Sequence, residues 1–136
     1  MPYRIEDFDG PDESLQSRLQ GAGVRTTRHL LMRWENPAHR SQLLKLVDGG
    51  APALLRLVGL SDLLRVKGVG EVYATLLWEA GIQGAAALGR ADPVETLAAL
   101  QAAKTRLGVV RRLPSAEDLA IWIADARELP PLEAGP

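Results

Sequence analysis

Cysteine is absent from this 136-residue sequence, and aromatic residues make up only 4% of it. The lack of cysteine excludes disulfide bonds, thiol catalysis and cysteine-based metal sites. No uninterrupted apolar run is long enough for a membrane span, so we expect no membrane partner. The first seven residues are acidic and lack the apolar core of a secretory signal, which predicts a cytoplasmic protein.

A strong net charge is also absent, since the formal charge is −1 and the isoelectric point is about 6.1. This balance argues against a strongly basic protein that coats nucleic acid. The charge is unevenly distributed, however. Residues 1–13 and residues 113–136 each hold five acidic residues and one arginine, so residues 14–112 hold fourteen Lys and Arg against seven Asp and Glu. Such asymmetry is compatible with a basic binding surface, although a solvated charged surface is the commoner explanation.

The pattern of polar and apolar residues predicts an all-α chain of short helices in one compact domain, residues 1–136. Strand signals are lacking, because apolar residues do not alternate and β-branched clusters are few. Cap residues predict helix starts at Thr26, Asn36-Pro37, Asp92-Pro93 and Ser115. Ser61 and Asp62 are predicted to cap a short helix that runs into Lys67. The apolar stripe of residues 116–128 predicts a C-terminal helix over about 115–128.

An internal repeat emerges when the sequence is shifted by 58 positions. Residues 22–24 (Ala-Gly-Val) then align with residues 80–82 (Ala-Gly-Ile), and Gly10 aligns with Gly68. With an offset smaller by two residues, the helix start at Asn36-Pro37 aligns with the helix start at Asp92-Pro93. We therefore predict repeat one over about 5–58 and repeat two over about 59–107, with the C-terminal helix bracing both.

Two glycines, Gly68 and Gly70, surround Val69 immediately before an amphipathic run. Glycine inside a helix costs about 1 kcal/mol relative to alanine, so this tripeptide predicts a turn. Glu71 would then start a helix whose first N–H groups have no internal partner and carry the positive end of the helix dipole. A helix start reached over glycine suits a phosphate oxygen.

Residues 66–74, Val-Lys-Gly-Val-Gly-Glu-Val-Tyr-Ala, resemble the helix-hairpin-helix motif of DNA repair and recombination proteins. The resemblance implies sequence-independent contact with DNA phosphates by the backbone around Gly68, Val69 and Gly70, assisted by a nearby cation such as Lys67 or Arg65. The densest basic cluster of the chain comprises Lys104, Arg106, Arg111 and Arg112. It is either a further phosphate contact or a solvated helix end.

Nearly the whole chain is similar to a bacterial family of tandem helix-hairpin-helix-like domains that is catalogued as a domain of unknown function. The resemblance implies a fold and no activity. Repeat one departs from the motif, because its turn is Gly10-Pro11-Asp12 and an acid replaces the second glycine. A carboxylate there takes the place of a phosphate electrostatically. We expect repeat one to be degenerate, and either structural or a site for a cationic protein partner.

Other candidate sites have simpler explanations. The acidic stretch 7–12 only superficially resembles a calcium loop, since its glycine falls too early and Arg18 occupies the closing position. His29 and His39 have no third ligand in the sequence, which makes a zinc site improbable. Trp34, Trp78 and Trp122 lie in helical runs and are expected to pack in the core, with base stacking as a minority interpretation.

Two functions of different class follow. The first is a non-catalytic module that binds the DNA backbone through repeat two, weakly and with salt sensitivity, because one hairpin reaches about two or three phosphates. The second is a protein-interaction module in which the hairpins are scaffold. The glycine hairpin and the basic middle of the chain favour the first, while the low isoelectric point and the degenerate first hairpin favour the second. No nucleophile–base pair suggests an enzyme, and no cofactor or metal is expected.

Overall fold

The computed structural model describes residues 3–8, 13–47, 49–109 and 111–132. In these residues the fold is all-α, as predicted, with a 3-10 turn at Ile5–Asp7 and no strand beyond an isolated bridge between Arg4 and Thr26. The α-helices are α1 (Glu13–Gly21), α2 (Thr27–Glu35), α3 (Pro37–Leu46), α4 (Ala51–Leu63), α5 (Glu71–Glu79), α6 (Ala85–Gly89), α7 (Pro93–Leu107) and α8 (Ala116–Glu128).

The chain divides into two compact units. Unit 1 comprises Met1–Ser61 and Leu132–Pro136, and unit 2 comprises Asp62–Pro131. The predictions of a single domain and of repeats at 5–58 and 59–107 stay predictions. The turn expected to begin repeat one, Gly10-Pro11-Asp12, and most of the acidic stretch 7–12 lie outside the described residues.

Side-chain caps define four of the helix starts, as the sequence predicts. Thr26, Asn36, Asp92 and Ser115 each accept a hydrogen bond from a backbone N–H in the first turn of the helix that follows. At Ser115 the cap is reciprocal, because the Asp118 carboxylate accepts from the Ser115 N–H. These caps satisfy donors that a helix start leaves without internal partners.

The predicted helix start at Ser61 and Asp62 is wrong. Both residues lie in the last turn of α4, and the chain from residue 64 to residue 68 is a turn rather than a helix. The Ser61 hydroxyl donates back along its own helix to the Leu57 carbonyl at 2.7 Å, and the Asp62 carboxylate serves a different helix. Cap residues therefore do not mark a start where burial gives their polar atoms partners elsewhere.

Unit 1 is built around α2 and α3, which pack against each other. Its buried apolar residues include Leu19, Leu30, Trp34 and Leu43. The N-terminal segment runs beside the start of α2, where the Ile5 N–H donates to the Arg25 carbonyl at 3.0 Å. Helices α1, α2 and α3 thus each bury apolar side chains, and hydrophobic burial stabilises the unit.

In unit 2, α8 packs against α6 and α7, and α5 packs against α7. The predicted apolar stripe of α8 is confirmed, since Leu119, Trp122, Ile123 and Ala126 are all buried. Arg127 extends from α8 to donate its Nε–H to the Gly89 carbonyl at the end of α6, at 2.7 Å. The C-terminal helix therefore closes the core of unit 2.

Asp62 is a buried carboxylate of unit 2 with both of its oxygens hydrogen-bonded. Its residue is only 2% exposed. One carboxylate oxygen accepts from Arg65 Nη1 at 2.7 Å, and the other accepts from the backbone N–H of Ala85, the first residue of α6, at 2.9 Å. Arg65 Nη2 also donates to the Pro130 carbonyl at 2.6 Å. This pair of residues therefore joins the segment before the hairpin to the start of α6 and to the segment after α8.

The 58-residue shift also relates local hydrogen bonds of the two units. The Val24 N–H donates to the Leu19 carbonyl at 2.8 Å, and the Ile82 N–H donates to the Leu77 carbonyl at the same distance. In each case a glycine with positive φ precedes the donor. The first residues of α1 and α5, and those of α2 and α6, are likewise 58 positions apart.

Removing the Asp62 carboxylate should destabilise the protein strongly. We expect Asp62→Ala to lower the free energy of unfolding by about 2–3 kcal/mol, because it leaves Nη1 of the largely buried Arg65 and the first N–H of α6 without acceptors. Asp92→Ala is the matched control, since it removes an exposed cap carboxylate and should cost about 1 kcal/mol. Urea unfolding followed by circular dichroism measures both. Equal losses in the two variants would contradict the role given to Asp62.

Candidate nucleic-acid interface

The segment between α4 and α5 has the turn that the sequence predicts. Gly68 has φ +93°, a left-handed conformation that favours glycine, and Val69 is buried at 3% exposure. Gly70 has φ −91° and ψ −178°, which is extended backbone open to any residue, and it is the N-cap of α5. Helix α5 begins at Glu71, as predicted. The conformational demand for glycine therefore lies at Gly68 and not at Gly70.

The start of α5 is uncapped in the part of the chain that the structure describes. Gly70 offers no side chain, and the first hydrogen bond of the helix runs from the Ala74 N–H to the Gly70 carbonyl at 2.8 Å. The N–H groups of Glu71, Val72 and Tyr73 have no acceptor among the described residues. Helices α2, α3, α7 and α8 are capped by their own side chains, and the first N–H of α6 is bonded to Asp62. The start of α5 can accordingly receive an external oxyanion.

Trp122 of α8 packs against the turn at Gly68. A Cβ atom placed on Gly68 would lie 2.8 Å from Trp122 Nε1, which is closer than real Cβ contacts allow. Trp122 is 7% exposed, and its ring packs against that of Tyr73 with 5.3 Å between centroids and 53° between planes. The turn at Gly68 and the first turn of α5 thus lie against one aromatic pair.

A basic segment lies beside the same aromatic pair. The guanidinium carbon of Arg111 lies 5.7 Å from the centroid of the Tyr73 ring, a cation–π arrangement. The Tyr73 hydroxyl donates to the Arg112 carbonyl at 2.8 Å. Because Tyr73 belongs to the first turn of α5, these two contacts bring Arg111 and Arg112 to the uncapped helix start. The sequence could not predict this meeting of the two segments.

The other predicted cations occupy different environments. Lys67 is exposed and forms no ion pair with a described residue. Arg65 donates to the Asp62 carboxylate and to the Pro130 carbonyl, so two of its five N–H donors are used inside unit 2. Arg106 donates to the Glu79 carbonyl at 3.0 Å, at the opposite end of α5, roughly 12 Å along the helix from the hairpin. Lys104 is half-buried on α7.

One acidic residue lies at the uncapped helix start. Glu71 is the first residue of α5, and its side chain is half-buried. A carboxylate in the first turn interacts favourably with the helix dipole and repels an incoming anion. The site therefore combines three free N–H groups and nearby cations with one opposing charge.

Sequence reasoning missed the roles of Tyr73 and Trp122. Trp34 and Trp122 are buried and Trp78 is half-buried, so the expectation that the tryptophans pack inward describes them well. The sequence carries no signal, however, that Trp122 would lie against Gly68, because 54 positions separate them. Among the described residues, no group of three or more His, Asp or Glu could hold a metal ion.

Comparison with known protein families places this chain. The family described as Domain of unknown function (DUF4332) matches residues 10–129. The chain belongs to the DUF4332 family. No curated protein and no solved structure matches this DUF4332 chain. In the described part of the chain, none of the DUF4332 helices has the length and apolar character needed to cross a bilayer.

Alanine at Gly68 should cost more stability than alanine at Gly81. Both glycines have φ +93°, but a Cβ on Gly81 would meet nothing within 4 Å, whereas one on Gly68 would collide with the Trp122 indole. We expect Gly81→Ala to lower the free energy of unfolding by about 1 kcal/mol, from backbone strain alone. Gly68→Ala should lose about 1–3 kcal/mol more, from overpacking. Urea unfolding measures the difference, and equal costs would show that Trp122 does not support the turn.

Proposed function

We propose that this DUF4332 domain is a non-catalytic nucleic-acid-binding module that contacts DNA phosphates without sequence preference. The observation that carries the proposal is the uncapped start of α5, where three backbone N–H groups follow the Gly68-Val69-Gly70 turn without an acceptor among the described residues. Backbone donors at a helix start suit phosphate oxygens and read no base.

The cations around the helix start support a polyanionic partner. We define the hairpin patch as Lys67, the N–H groups of residues 71–73, Arg111 and Arg112. Lys67 directly precedes the turn, and the guanidinium of Arg111 lies over the ring of Tyr73, so both cations belong to segments that adjoin the first turn of α5. Arg65 and Arg106 do not belong to the patch, because the first is paired with Asp62 and the second lies at the far end of α5.

The DUF4332 chain is, in this proposal, a tandem of two helix-hairpin-helix-like repeats. Support comes from the helix starts and the glycine-linked hydrogen bonds that recur at a spacing of 58 residues. Repeat two carries Lys67 and the N–H groups of the hairpin patch, and the segment that follows repeat two carries Arg111 and Arg112. The acid at position 12 would deprive repeat one of the same function, since a carboxylate repels phosphate.

Binding through one hairpin is expected to be weak and salt-dependent. Two or three phosphate contacts release few counterions, and Glu71 opposes the approach of the phosphate. The competing function is protein interaction with the hairpins as scaffold. The contact between Gly68 and Trp122 favours it in one respect, because that contact gives the turn a structural role independent of any ligand.

Capping α5 with a side chain should weaken DNA binding without lowering the stability of the fold. Gly70 has an extended backbone conformation that Asp or Asn adopts without strain, and both are good N-cap residues. Gly70→Asn and Gly70→Asp should therefore fold with unchanged or slightly higher stability. Binding to duplex DNA should fall several-fold for Asn, which occupies the N–H groups, and about tenfold for Asp, which adds repulsion. Fluorescence anisotropy with a labelled duplex at several salt concentrations measures this.

Side-chain variants complete that experiment. Lys67→Ala and Arg111→Gln should each lower the salt slope by about one ion, whatever the DNA sequence. Arg106→Gln is the control from the opposite end of α5. It should change neither the DNA affinity nor the salt slope. Unchanged DNA binding by a folded Gly70→Asp variant, or no binding by the original chain at low salt, would assign the hairpin to a scaffold and favour protein interaction.

Removing the opposing charge should have the reverse effect. Glu71→Gln keeps the size of the side chain but deletes the carboxylate beside the free N–H groups. We expect DNA affinity to rise about twofold to fivefold, with a small loss of stability from the weaker helix-dipole interaction. The same anisotropy titration measures the gain. An unchanged affinity would mean that the phosphate does not approach the start of α5.

A further inference from the structure

Unit 1 contains an open cleft of about 260 Å³ that takes no part in the proposed DNA contact. The described residues that line it come from the turn after α1, from α2 and from the start of α3; they are Gly23, His29, Met32, Arg33, Asn36 and His39. We propose that this cleft binds a small organic oxyanion, that is, a phosphate or carboxylate group carried on a compact apolar group.

Arg33 provides the charge for such a ligand. Its side chain packs against the turn after α1, where Nη2 lies 3.3 Å from the position of a Cβ on Gly23. The residue is half-buried, and its guanidinium forms no hydrogen bond or ion pair with a described residue. None of the described lining residues is acidic. A partly desolvated guanidinium with no acceptor among the described residues favours a planar or tetrahedral oxyanion, which it can bind through two parallel hydrogen bonds.

The neighbouring polar groups are donors as well. The Nδ1 atom of His29 accepts from the Arg25 N–H at 3.4 Å, so the proton of the neutral ring lies on Nε2. The Asn36 side-chain oxygen accepts from the Ala38 and His39 N–H groups at 3.0 and 3.1 Å, which leaves its amide NH₂ free to donate. Hydrogen-bonding capacity in the cleft is therefore weighted toward an acceptor ligand.

The cleft also has an apolar wall. Met32 is 64% exposed, although methionine is usually buried. The volume is below the range of pockets that hold drug-sized ligands, so it suits one ring or a short chain and excludes a polymer strand. An oxyanion at Arg33 with an apolar group against Met32 would use both kinds of surface. This inference is independent of the proposed DNA binding.

The composition of the chain makes the cleft easy to observe by NMR. The sequence has two histidines, both of which line the cleft, and two methionines, of which Met32 lines it. Carbon–proton spectra of the histidine rings and methionine methyl groups therefore report on the cleft directly. The full chain is titrated at fixed pH with phenyl phosphate, benzoate, inorganic phosphate and uncharged benzyl alcohol.

We expect saturable shifts of both histidine signals and of the Met32 methyl signal with phenyl phosphate or benzoate, in the millimolar range expected for so few ligand atoms. The tighter of these two ligands identifies the oxyanion as phosphate or carboxylate. Inorganic phosphate should move the histidine signals at higher concentration and leave Met32 unmoved. Benzyl alcohol should move neither. Equal binding of benzyl alcohol, or no saturable shift with any anion, would overturn the proposal.

Two variants and a control test the residues. Arg33→Gln should weaken binding of phenyl phosphate about tenfold, because a charge-assisted pair is lost. Met32→Ala, an exposed change with little bearing on folding, should weaken phenyl phosphate and leave inorganic phosphate unchanged. Arg28→Gln removes an exposed arginine of the same helix that does not line the cleft, and it should bind as the original chain does. Affinity retained by both Arg33→Gln and Met32→Ala would contradict the proposed site.

Discussion

A buried carboxylate is costly unless its oxygens find donors, and unit 2 is organised around one that does. Asp62 receives a guanidinium on one oxygen and the first N–H of α6 on the other, while the same guanidinium reaches the Pro130 carbonyl. The turn that leads to the hairpin, the short helix α6 and the segment after α8 are thus fixed relative to one another by two side chains. Helix α6 has only five residues, and isolated helices of that length are unstable, so it depends on such contacts.

The hairpin itself rests on aromatic packing rather than on charge. Trp122 lies under Gly68, Tyr73 packs on Trp122, and Arg111 lies over Tyr73. These three successive contacts connect the core of unit 2 to its basic surface. It explains how a chain with few aromatic residues and almost no net charge can still hold cations next to free backbone donors. Rigid support of this kind reduces the ordering cost of binding, which matters most where each contact is weak.

Local features of the fold were predictable from the sequence, and long-range ones were not. The caps at Thr26, Asn36, Asp92 and Ser115, and the turn around Gly68, act over a few residues, so composition and spacing reveal them. Asp62 shows the limit. As an isolated Ser-Asp pair it predicts a helix start, but its oxygens bond to Arg65 and to Ala85, 23 residues away. The predicted basic cluster is likewise divided. Arg111 and Arg112 lie near the first turn of α5, whereas Arg106 lies at the other end of that helix because α5 packs against α7.

The hydrogen bond from the Tyr73 hydroxyl ends on the main-chain carbonyl of residue 112 and not on a side chain. Every amino acid supplies that carbonyl, so this hydrogen bond requires no particular side chain at position 112. Surface charge and loop geometry are consequently uncoupled at this point. Mutation can change the attraction of this surface for an anion in either direction while the hydrogen bond that anchors the loop persists. The proposed affinity for phosphate is therefore adjustable at this position without loss of the contact that anchors the loop.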